Sequence, residues 1–157
     1  MLQRIQTVFL ALVVAFVLSF LAFPIWTKAN ATTSEAVSLN AFNITSKSGN
    51  LTQITPVFYL AVMAVFAALI GFFAIFQYKK RMTQVLIVAL NSLLIGALLA
   101  TSVYLVYSKT SQVFQPEVKG EFGFGLYFLF GALVANWLAN MFIRRDERMV
   151  KDADRMR

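Results

Sequence analysis

The chain has 157 residues, 59% of them hydrophobic, a formal net charge of +7, and neither cysteine nor histidine. Disulfides, metal sites built from Cys/His sets and a histidine-ligated haem are thereby excluded, and no cofactor is expected. The basic excess does not point to nucleic acid as a partner. Its Lys and Arg stand beside apolar runs and lack the interleaved aromatics and extended basic face of such binders.

The first apolar run, residues 5–26, follows Arg4, and three more occupy residues 56–78, 82–107 and 122–143. None contains Asp, Glu, Lys or Arg, and each is longer than the roughly 20 residues a helix needs to cross a bilayer. Four transmembrane spans are therefore expected within a single membrane domain covering residues 1–157. Ala29-Asn30-Ala31 offers a small-x-small cleavage pattern after the first run. That run is longer than the roughly 7 to 15 residues of a secretory h-region and has one Arg before it, so a retained span is expected.

The connection 27–55 alternates apolar and polar residues over Val37–Ile44, then meets Ser46-Lys47-Ser48-Gly49-Asn50 and Leu51–Ile54, which predicts a small β-hairpin. Lys79-Lys80-Arg81 joins the second and third spans so tightly that they must be antiparallel neighbours. The connection 108–121 and the tail 144–157 complete the hydrophilic segments. Ten Lys and Arg lie on the side of the termini and the 79–81 turn, against four in the other two connections. That bias places the termini in the cytoplasm and the hairpin outside.

Small residues recur on each span: Thr7, Ala11, Ala15 and Ser19; Ala64, Ala67, Ala68 and Gly71; Ser92, Gly96 and Ala100; Gly131, Ala135 and Ala139. Such ladders let helices approach closely where lipid leaves no hydrophobic drive for association. They predict a self-contained bundle, with one ladder available to a membrane partner or a second copy. Tyr59, Tyr78, Tyr104, Tyr107 and Trp26 are expected as interface anchors near the span ends.

Asn91, Asn136 and Asn140 are expected to form a shared intramembrane polar contact. Asn136 and Asn140 share a helix face by their i, i+4 spacing, and Asn91 lies at similar depth. Their plain role is interhelical hydrogen bonding worth about 0.6 kcal/mol each; the alternative is orienting a lipophilic ligand. The spans hold no ionisable residue of the kind that marks proton relays and ion pathways. Nor is there an acid, base and nucleophile set, so no enzyme is expected. In the tail, Glu147 with Lys151 and Arg148 with Asp152 form i, i+4 pairs that favour a helix continuing from the fourth span. Such an amphipathic helix is expected on the cytoplasmic leaflet. Its mixed charge marks Arg144, Arg145, Asp146, Glu147, Asp154 and Arg155 as a protein-docking surface, since the acids offset attraction to anionic lipid.

The opening Met1-Leu2-Gln3-Arg4-Ile5-Gln6-Thr7 and the closing residues Asn136, Asn140, Ile143-Arg144-Arg145-Asp146-Glu147, Val150-Lys151 and Ala153-Asp154-Arg155 resemble a family of four-span proteins from Gram-negative bacteria. That family is known as domain of unknown function 4293. The resemblance runs the whole length, with Leu2 and Met156 as conservative departures. It implies an inner-membrane location and four helices and brings no activity with it. The expectation is an all-α membrane protein, an up-down four-helix bundle with a small external hairpin and an amphipathic C-terminal helix. It would act as a non-enzymatic accessory or scaffold component of an assembly; the alternative is a carrier or binder of a lipophilic small molecule.

Overall fold

The computed structural model describes residues 2–30, 35–110 and 119–155. Helices α1 (Leu2–Ala22), α2 (Phe58–Phe76), α3 (Arg81–Leu105) and α4 (Phe124–Arg155) each contain a stretch long and apolar enough to cross a membrane. Each packs on two neighbours in the ring α1-α2-α3-α4, and successive helices run antiparallel. A short 3-10 turn at Gln77–Lys79 joins α2 to α3, as the spacing predicts.

The expectation of an all-α protein is overturned by an antiparallel sheet at one end of the bundle. Strands β1 (Trp26–Asn30), β2 (Glu35–Leu39), β3 (Asn43–Ser48), β4 (Leu51–Pro56) and β5 (Glu121–Phe122) are ordered β4-β3-β2-β1-β5. The expected hairpin is β3–β4, closed by a two-residue turn in which Gly49 takes φ +57°, a left-handed conformation that a glycine adopts without strain. Val37–Ile44 is not one strand. It breaks at Asn40–Phe42, where the Asn40 amide donates to the Asn43 carbonyl and reverses the chain into β3.

Two further strands come from the ends of apolar runs. Pro24 lacks an amide and disfavours helix in the residue before it, so α1 stops at Ala22 and the chain extends into β1. Trp26, expected as an interface anchor, is 4% exposed and pairs with Leu39 on one side and Phe122 on the other. Trp26, Lys28, Val37, Leu39 and Ile44 form the buried face of the sheet, whose apolar members join the helices' core. The four tyrosines remain exposed near helix ends. Past α3 the backbone widens into a π turn at Val106–Thr110, where the Thr110 hydroxyl donates to the carbonyls of Leu105 and Val106. Residues 111–118 of the connection 108–121 lie outside the described residues.

The β5–α4 junction is fastened to the end of α1. Gly123 donates its amide to the Ile25 carbonyl at 2.9 Å and Gly125 to the Pro24 carbonyl at 3.0 Å. A Cβ at Gly123 would overlap the Pro24 carbonyl, and one at Gly125 would lie 2.8 Å from the Phe23 oxygen. Below this junction Phe9 and Phe16 of α1 and Phe23 just past its end, spaced seven residues apart, stack on or edge Phe142, Phe128 and Phe124 of α4, with centroids 5.3 to 6.4 Å apart. Small residues do not all point inward. Those of α2 and Ala135 and Ala139 of α4 are buried, whereas Thr7, Ala11 and Ala15 face away from the bundle. The buried side of α1 is Gln6, Leu10, Val13, Val17 and Phe20 instead.

Substitution Gly123→Ala forces the junction apart and should destabilise the bundle by about 1–3 kcal/mol, the usual cost of overpacking. Gly96→Ala, where a Cβ meets nothing within 4 Å, should be neutral or slightly stabilising. Thermal unfolding of both purified variants in mild detergent checks the contrast; equal midpoints would refute the fastening role.

Candidate functional site

The three asparagines within the apolar helices do not form one cluster. Asn136, wholly buried on α4, donates its amide nitrogen to the Val88 carbonyl at 2.8 Å and to the Ser92 hydroxyl oxygen at 2.7 Å. The Ser92 hydroxyl in turn donates to the Val88 carbonyl. A carbonyl only accepts, so the amide's orientation follows from its partner. This contact ties α4 to α3 and fixes their rotation. Asn91, also wholly buried, faces α2, where its amide nitrogen lies 3.4 Å from the place a Cβ on Gly71 would occupy. Among the described residues neither atom of its amide has a hydrogen-bond partner, nor does the Asn136 oxygen. Asn140 is only part-buried and accepts from Arg144 Nε at 3.0 Å, so it belongs to the helix end.

Polar side chains converge instead where the helices meet at the end opposite the sheet. Gln6 on α1 donates to the Phe142 carbonyl of α4 at 3.3 Å, and Gln84 on α3 donates to the Ala74 carbonyl of α2 at 3.0 Å. Arg81, the first residue of α3, bonds Asp146 of α4 twice, side chain to carboxylate at 3.1 Å and to backbone carbonyl at 3.2 Å. The carboxylate thus sits beside a helix N-terminus, where an anion is favoured and the Arg81 cation alone is not. Three of the four helix pairs are locked here by side chains.

The two glutamines escape a reading that ranks intramembrane groups by polarity, because each stands within a few residues of a cation. Their signal is their position in stretches that lack charge. Of the expected docking residues, Arg144 and Arg145 are exposed, while Asp146 and Glu147 are part-buried. Asp154 and Arg155 belong to the last turn of α4, and Met156 and Arg157 lie outside the described residues. The tail continues the fourth span as expected, α4 passing from Phe124 to Arg155 without a break.

Residues 2–156, nearly the whole chain, match the family described as Domain of unknown function (DUF4293). The chain belongs to that family. No curated protein matches it. In this DUF4293 chain the buried groups just described are amides and hydroxyls, which donate and accept hydrogen bonds but do not titrate near neutral pH. The arrangement can hold helices in register and offer polar contacts.

The amides predict opposite responses. Asn136→Leu removes two bonds between α3 and α4 and should cost about 1 kcal/mol. Asn91→Leu replaces an unpartnered buried amide with an apolar group of similar size and should be neutral or stabilising. Unfolding midpoints in one detergent decide the matter. An Asn91→Leu loss as large as that of Asn136→Leu would reveal a bound partner at Asn91.

Proposed function

We propose that this DUF4293 protein is a non-enzymatic accessory or scaffold component of the bacterial inner membrane, with both termini in the cytoplasm and the sheet outside. The observation that carries it is the reach of α4. Its 32 residues span about 48 Å at 1.5 Å per residue, well beyond a hydrocarbon core of about 30 Å. Arg81 braces this extension through Asp146, so Arg144, Arg145, Glu147 and Arg148 stand on a helix of fixed direction. A rigid surface loses less conformational entropy when a partner docks on it.

The outward small residues of α1 support the same reading. Thr7, Ala11 and Ala15 offer a close-approach face toward the lipid, suited to another spanning helix or a second copy. The lipophilic-carrier reading has less behind it. Its three proposed polar contacts are dispersed, and Asn91 is packed against Gly71.

Orientation is tested in the cysteine-free chain with single cysteines at Ser48 and Met149. The first should react with an impermeant thiol reagent in intact spheroplasts and the second only after lysis. The reverse pattern would invert the topology.

For the scaffold role, deleting residues 150–157 keeps the Arg81–Asp146 pair and the cations Arg144, Arg145 and Arg148, so insertion and abundance should be normal. A photo-crosslinking side chain at Arg145 should give a discrete protein adduct in living cells that this deletion abolishes. Adducts unchanged by the deletion, or adducts to lipid alone, would rule out docking through the tail.

A further inference from the structure

We infer that the groove between α3 and α4 at the end opposite the sheet binds one anionic phospholipid, its phosphate on Arg144 and Arg148 and an acyl chain along α3. This site shares Arg144 and Arg148 with the docking surface proposed above but requires no protein partner. Two adjoining hollows form the groove. One, of about 430 Å³, is lined by Met82, Thr83, Val85, Leu86, Ala89 and Arg144. The other, of about 300 Å³, shares Met82, Val85 and Arg144 and adds Glu147 and Arg148.

Depth and chemistry match a lipid in register. From Met82 to Ala89 the apolar wall runs about 10 Å along the helix, at 1.5 Å per residue. It starts at the charged end of α3 and heads toward the bilayer centre. Its walls offer methyl and methylene groups, with the small Ala89 leaving space at the deep end. Where the wall reaches the membrane surface, the lining changes to guanidinium groups. Arg144 is held by the bond from its Nε to Asn140, which leaves its two terminal nitrogens to face a phosphate.

Charge selects the headgroup. Along the tail's sequence, acids offset the cations, but Asp146 is committed to Arg81. The groove itself is lined by two arginines and one glutamate, a net positive charge that one phosphodiester balances. Arg145, exposed on the same helix, is not part of the lining.

The test titrates the purified full-length protein in mild detergent with phosphatidylglycerol, with phosphatidylcholine and with inorganic phosphate, reading lipid occupancy by native mass spectrometry. Phosphatidylglycerol should bind several-fold more tightly than phosphatidylcholine. The double variant R144Q/R148Q should lose that preference, about fivefold for the groove's one net positive charge, while R145Q should keep it. Filling the deep end with Ala89→Phe should weaken both lipids, without touching a charge. Equal affinity for the two lipids, an equal loss in R145Q, or inorganic phosphate displacing phosphatidylglycerol at comparable concentration would overturn the site. The last result would leave a free-anion site without the acyl groove.

Discussion

The joint between Phe23–Trp26 and Gly120–Gly125 sets the geometry of everything else. Pro24 ends α1 and leaves the carbonyls of Pro24 and Ile25 in need of donors at the edge of a region where water is scarce. Gly125 and Gly123 supply them. The approach is so close that side chains there would collide with backbone, and Gly120 lies against the Trp26 ring with no room for a Cβ. Once made, the joint fixes the depth of α4 relative to α1. It also lays β5 beside β1, so the sheet is anchored to the bundle at both ends of the chain's path through it. Phe9, Phe16 and Phe23 then meet the phenylalanines of α4 in one register.

The two ends of the bundle are held by different means. At the sheet end the ties are backbone hydrogen bonds, which any side chain set could make if its shape allowed. The opposite end relies on Gln6, Gln84 and the Arg81–Asp146 pair, which are specific to those residues. Between them, midway along the apolar helices, Asn136 bonds across from α4 to α3. Other hydroxyls on these apolar helices are satisfied locally: Ser19, Thr101 and Ser102 each donate to the carbonyl four residues back. They therefore add little to association between helices. Register in the middle rests on packing and the Asn136 contact, and direction at the cytoplasm-facing end of the proposed topology rests on a charge pair.

How much of this is legible in the sequence depends on which physical signal is strong. Absence of charge over 20 residues is unambiguous, so the four spans stand out, and Ser46–Asn50 marks the β3–β4 turn. Strands β1 and β5 are hidden because Trp26 and Phe122 extend apolar runs, and hydropathy does not distinguish helix from a buried strand. Pro24 is the one local cue, and it marks where α1 stops without indicating that a strand succeeds it. Small-residue spacing identifies a face of α1 but not which way that face points. The seven-residue repeat of Phe9, Phe16 and Phe23 is the better guide to its partner. For the asparagines, i, i+4 spacing is too coarse: four residues advance a helix by about 40° past a full turn. That is enough to carry Asn140 from the core to its margin while Asn136 stays buried.

The tail shows why net charge along a sequence misleads about electrostatics in space. Counting residues 144–157 suggests cancellation, since four acids accompany six bases. Folding redistributes that balance, because Asp146 turns toward α3 and neutralises a cation that is distant in the chain and adjacent in space. Its removal from the local count leaves Arg144, Arg145 and Arg148 facing outward with Glu147 close by. The same pair that gives the α4 extension its direction therefore also sharpens the positive edge at this end of the helices. In the proposed topology, the geometry for docking and the chemistry for lipid contact would both rest on this one interaction between Arg81 and Asp146.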